Sequence, residues 1–131
     1  MSTAQYSDCE TYRYALTRVW DDAGKRVVFV MLNPSKANEI ANDPTVERCE
    51  RRARALGFGA FRVVNIFAFR ETNPHLMRKA TSPVGPDNDA ILHTNGLGTP
   101  KRPRYFNGVP HGFQQFCAIR VYSSFSSYVI R

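Results

Sequence analysis

The sequence predicts an α/β domain, Rossmann-like and three-layered, with a mainly parallel sheet. Three observations carry this. Residues 27–32, "VVFVML", and residues 61–69, "FRVVNIFAF", are short apolar runs rich in β-branched residues, the pattern of strands covered on both faces. Between them lies one segment of helix length with its own start and stop signals. Strand, helix, strand over so short a span is a βαβ unit, which pairs its strands in parallel through a crossover.

Each element follows from its residues. Residues 12–19, "YRYALTRV", place Tyr12, Tyr14 and Leu16 on one face and Arg13, Ala15 and Thr17 on the other, a half-buried strand. The run "DDAGKR" supplies turn chemistry, so this strand and 27–32 are candidates for a hairpin. Asp43 is placed to cap a helix with Pro44 at its first position, where a missing N–H costs little. That helix is expected to run to about Leu56, with Val46, Cys49, Ala53 and Leu56 on its buried face and Gly57 ending it. Its Arg-rich face alternates acids with bases, Glu47 with Arg51 and Glu50 with Arg54, and reads as solvated. A short helix follows from Pro74 to about Ala80, and another starts near Pro86. Beyond it the pattern decays: "FCAIRVYSSFSSYVIR" is a strand pair or unstructured.

The 131 residues, 43% of them apolar, suit one small domain. No window is apolar enough to span a membrane, and the N-terminal residues have neither the basic head nor the apolar core of a signal peptide, so a cytoplasmic protein is expected. Cys9, Cys49 and Cys117 form no CxxC pair and read as reduced thiols, and His75, His93 and His111 are scattered; neither a metal nor a cofactor is expected. The glycines of "GFGAF" and "GLG" fit no phosphate loop, and Ser35 lies in no nucleophile elbow. All eleven acids precede residue 90, among thirteen basic residues, whereas five basic residues and no acid follow. Such a segment with interleaved aromatics fits DNA or nucleotide phosphates, or is simply a solvated tail.

Ligands of parallel sheets sit at the carboxyl ends of the strands. Asn33 ends one strand there, and Pro34 forces its backbone to stay extended. The next strand brings Asn65 and, past its end, Arg70. Such a rim suits a base edge, a ribose or a phosphate, and Ser35 and Asp43 of the intervening loop complete the candidate substrate-binding set with Asn65 and Arg70. The competing readings are a turn-forming Asn33 bonded to its own loop and an Arg70 paired with Asp43 or Asp22.

Four segments, "YRYALTRVW", "VMLNPSKANEIANDPTVERC", "GFGAFRVVNIFAFRETNP" and "PVGPDNDA", together resemble the family termed domain of unknown function 1643, over residues 12–90. The strand-ending Asn-Pro loop of that family is in turn similar to the first motif of the uracil-DNA glycosylase superfamily. In the mismatch-specific branch a Gly-x-Asn-Pro-Gly asparagine positions the water that attacks the sugar carbon. The resemblance implies that Asn33 is catalytic and that the reaction is hydrolysis of an N-glycosidic bond. Here Met31 replaces the glycine and Ser35 follows the proline. The second half departs from the family: "GTPKRPRYF", residues 98–106, resembles its terminus but arrives early, with Arg102 where a histidine is expected. The expectation is therefore a family domain over 1–106, incomplete in its C-terminal half, and a basic, aromatic tail over 107–131 without counterpart. Two further readings stand beside the enzyme, a non-catalytic nucleic-acid binder acting through the tail and a non-functional remnant.

Overall fold

The computed structural model describes residues 1–98, 118–123 and 126–130. Its elements are β1 (Ser2–Tyr6), β2 (Arg13–Val19), β3 (Arg26–Met31), α1 (Pro44–Ala55), β4 (Ala60–Asn65), α2 (Pro74–Lys79), α3 (Asn88–Thr94), β5 (Ala118–Ser123) and β6 (Ser126–Ile130). The strands form one sheet in the order β1-β2-β4-β3-β5-β6. Only β3 and β4 run parallel; β1/β2, β2/β4, β3/β5 and β5/β6 are antiparallel. The Rossmann-like, three-layer, mainly parallel expectation is thus overturned in favour of a mixed, mostly antiparallel sheet with few helices. A parallel return needs a crossover of a dozen or more residues. Among the described residues only α1, with 12, serves as a crossover helix, joining β3 to β4; α2 and α3, with six and seven, join no parallel pair.

The expected hairpin between β2 and β3 does not form, because β4 lies between them. Ala15 opposes Val64 on one side, and Val30 opposes the same Val64 on the other. The turn after β2 instead straddles the start of β4: Trp20 N and Asp21 N donate to the Gly59 carbonyl at 3.0 and 2.9 Å, and Gly59 N donates to Lys25 O at 2.8 Å. Placing β4 centrally buries its Val63 and Val64 completely. Nor is β2 half-buried; Arg13 to Leu16 are all buried, Tyr14 and the arginine included. β1, absent from the sequence reading, is an edge strand whose exposed alternate residues give little hydrophobic signal.

Helix α1 forms where its sequence places it, except that Leu56, expected on the buried face, is the C-cap just past the last helical residue and is 60% exposed, because the chain has left the helical path there. Asp43 Oδ1 accepts from Thr45 N and Val46 N at 3.0 and 2.8 Å, and Gly57 leaves the helix at φ +80°. Val46, Cys49 and Ala53 pack on Leu16, Phe29, Phe61 and Val63 on one face of the sheet. Ala15, Val28, Val30 and Val64 meet Leu92 of α3 on the other. The exposed side of α1 carries the pairs Glu47–Arg51 and Glu50–Arg54 at 3.3 and 2.8 Å, the solvated face expected. Of the two readings of the C-terminal stretch, the strand pair holds: β5 covers the edge of β3, and β6 covers β5. The family-like terminus at 99–106, with Arg102, lies outside the described residues. Among the described residues no helix is long and apolar enough to cross a membrane.

Gly59 has no room for a side chain, since an added Cβ would sit 2.2 Å from the Asp21 carbonyl oxygen. Gly59→Ala is expected to destabilise by about 1–3 kcal/mol, as overpacking against backbone does. Gly57→Ala meets no atom within 4 Å and only violates a positive φ; it is expected to cost about 1–2 kcal/mol. Urea unfolding of both variants checks this ordering.

Candidate functional site

Two arginines of β2 organise the loop that follows β3. The β1/β2 register steps from Gln5↔Ala15 to Tyr6↔Arg13, which makes Tyr14 an extra residue, a β-bulge. A bulge flips the strand's alternation, so Arg13 turns to the α1 side, away from the face of Ala15 on which strict alternation places it. There Arg13 Nη1 donates to the Ala37 carbonyl. Arg18 Nη2 donates to the Asn38 carbonyl, and its Nε and Nη2 reach Asn42 Oδ1 at 3.2 and 2.9 Å. Asn38 Oδ1 in turn accepts from Ile40 N and Ala41 N, closing the loop on itself.

The loop roofs a cavity of about 210 Å³ at the carboxyl ends of the parallel pair. Asn33, Ser35, Asp43 and Asn65 line it, together with Arg13 and Glu71. Asn33 Nδ2 donates to Glu71 O at 2.6 Å and to Pro34 O at 3.2 Å, so the amide is anchored across to the segment after β4 as well as to its own loop. Both of these bonds use Nδ2, and Oδ1 takes part in neither. Ser35 Oγ lies 3.3 Å from Thr72 Oγ1. Asp43 Oδ1 caps α1, and its Oδ2 accepts from Ala37 N at 3.4 Å. Glu47 N is taken by Asp43 O, and Pro44 has no N–H, so the start of α1 offers no free donor to a phosphate.

Asn65 is 1% exposed, and among the described residues neither its Nδ2 nor its Oδ1 has a hydrogen-bond partner. Its backbone carbonyl accepts from Asn88 Nδ2 at 2.8 Å. Leaving a buried carboxamide unpaired costs about 1–3 kcal/mol per group, which makes Asn65 an expense that packing does not explain. Arg13 is equally buried at 1% exposure, with its Nε unpartnered. Burial pulls its guanidinium down to about 10, the attraction of Asp43 offsetting part of the loss, so it is a cation at neutral pH.

Arg70 stands apart from this group. It borders an adjoining cleft of about 380 Å³ that shares Ser35, Glu71 and Thr72 with the cavity. Its Nη1 donates to Glu10 O at 3.1 Å, and its guanidinium lies 4.9 Å from the centre of the Tyr6 ring, so it pairs with neither Asp43 nor Asp22. Asp22 holds Arg26 instead, at 2.8 Å. The sequence reading missed Arg13 as a site residue. The available signal was an arginine between two tyrosines in a strand otherwise suited to the core.

Residues 13–96 match the family model described as Protein of unknown function (DUF1643). The chain belongs to that family. The DUF1643 region begins at Arg13 and holds all five candidate residues, while β1, β5 and β6 lie outside it. No curated protein and no solved structure matches the chain.

Two outcomes follow from these environments. Asn65→Leu is expected to raise stability by about 1–3 kcal/mol by removing an unsatisfied buried amide, seen as a higher urea midpoint at unchanged slope; a comparable loss would mean that the amide is bonded after all. The thiols are expected to divide. Hydrogen bonds from Ser7 and Thr11 hold Cys9 down at about 7, whereas burial pushes Cys49 up to about 12. Iodoacetamide should therefore alkylate Cys9 in the native protein at a rate rising through pH 7, and Cys49 only in denaturant, as peptide mapping will show.

Proposed function

We propose that the cavity binds a nucleobase and that the protein hydrolyses N-glycosidic bonds of a nucleotide or of DNA. The observation that carries this is the buried, unpartnered carboxamide of Asn65 facing a cavity. A carboxamide donates and accepts side by side, which complements the edge of a base. The volume lies below the roughly 300–1,000 Å³ of drug-sized sites and suits one heterocycle, with sugar and phosphate reaching into the adjoining cleft beside Ser35 and Arg70.

Hydrolysis breaks the C1′–N bond, whose electron pair leaves with the base, and forms a C1′–O bond to water, whose proton passes to bulk solvent, from which the released base is protonated. The sugar passes through an oxocarbenium-like state, so a well-placed water matters more than a strong base. Asn33 fits that task. Its Nδ2 is held by the Glu71 and Pro34 carbonyls, and this leaves Oδ1 as the acceptor that orients the water. Asp43 fixes the loop from below through its three backbone amides. A duplex substrate requires the nucleotide to be flipped out of the stack, which favours single-stranded or mispaired DNA.

The sequence also supports a second reading, nucleic-acid binding through the basic residues after position 89. Release of free base from nucleosides, nucleotides and base-modified DNA separates the two. For the enzyme, Asn33→Ala is expected to lower the rate on the order of 10²–10⁴-fold with substrate affinity nearly unchanged. No base released from any substrate, together with affinity that falls steeply with salt and disappears on replacing Lys101, Arg102 and Arg104 by glutamine, would leave the binder.

A further inference from the structure

A cation buried beside an empty volume needs a counter-charge, and Arg13 has none of its own. Among the described residues no carboxylate forms a salt bridge with it. Asp43 attracts it, but the Asp43 oxygens accept from the backbone amides of Thr45, Val46 and Ala37. Glu71, the other acid at the cavity, turns Oε1 to Asn73 N at 2.9 Å. Of the remaining neighbours the Tyr6 phenol favours the cation, while Arg70 and Arg18 both repel it. Only Ala37 O takes one of its hydrogens in a described bond, and the Nε–H is donated to none.

The second, independent sign of a ligand is Asn65, buried with both amide atoms unpartnered on the same cavity. Resting on the nucleobase reading of this cavity, we infer that Arg13 is a binding residue of the site and that the ligand it selects is an anionic heterocycle. Asn65 reads the donor and acceptor edge, and the guanidinium meets the negative charge. A neutral base satisfies Asn65 but leaves the cation desolvated and alone; an ionised one satisfies both. In the hydrolysis the same contact acts on the departing base. The electron pair of the broken C1′–N bond stays on the ring, and Arg13 stabilises that charge so that no proton need be delivered to it from an acid.

The test compares 5-nitrouracil, whose imide is ionised near neutral pH and whose ionisation is visible in its absorption spectrum, with uracil, which is neutral there. The full chain is titrated with each. The expected result is that binding lowers the pKa of 5-nitrouracil by about one unit, equivalent to about tenfold tighter binding of the anion than of the neutral form. Arg13→Gln should abolish that displacement. Because Arg13 also holds the Ala37 carbonyl, Asn65→Ala serves as the partner variant, which should weaken both bases while leaving the displacement intact. Binding of both bases with the pKa unmoved in the wild type overturns the inference and leaves the nucleobase site standing. Binding of neither overturns the nucleobase reading, and this inference with it.

Discussion

Two arginines of β2, Arg13 and Arg18, reach under the loop that follows β3 and donate to the carbonyls of Ala37 and Asn38. The site depends on this clamp. The connection from β3 to α1 carries carbonyls that water would otherwise satisfy, and a neutral side chain could offer each of them about 1 kcal/mol at best. Hydrogen bonds from an ionised donor contribute roughly 1.5–3 kcal/mol each, enough to fix the loop but also to commit two cations to the interior. Arg18 offsets that cost with Asn42 and an exposed margin; Arg13, deeper, does so only in part. The clamp therefore holds Asn33, Ser35 and Asp43 in place and leaves a desolvated charge at the cavity wall.

The bulge at Tyr14 makes the clamp possible. In a regular strand Arg13 shares the side of Ala15, facing Leu92 and α3, where no carbonyl of the 33–43 loop lies. One extra residue reverses its direction while Leu16 keeps its place against Val46. The same local irregularity lets Tyr14 be buried without displacing the ladder between Ala15 and Val64. A single backbone adjustment thus couples the antiparallel half of the sheet to the site formed by its parallel half.

One parallel pair is enough to place that site. The rule that ligands gather at the carboxyl ends of parallel strands rests on loops and helix starts converging there, and β3, α1 and β4 satisfy it by themselves. The helix contributes position more than charge, because its first amides are already taken by Asp43. Asn33, Ser35, Asp43 and Asn65, carried by "MLNPS", "NDPT" and "NIFAFR", therefore line one cavity although the sheet is not the mainly parallel one expected. Arg70 did not join them; its guanidinium is drawn to the Glu10 carbonyl and the Tyr6 ring of the N-terminal segment, whose strand β1 gave no signal in the sequence.

The sequence by itself determined what depends on neighbours along the chain. Asp43-Pro44 starts α1, Gly57 ends it, alternating acids and bases solvate its outer face, and two β-branched runs flanking it pair in parallel because a helix joins them. Tertiary structure alone decided what depends on partners distant in sequence. Which strand lies between β2 and β3, whether Arg13 points to one face or the other, and whether Asn65 finds a partner are all settled by register, and strand register is set by contacts between segments tens of residues apart. A shift of one residue leaves composition and hydrophobic pattern unchanged yet reverses every side chain beyond it. For that reason the position of Asn65 was legible in the sequence, while the buried charge beside it was not.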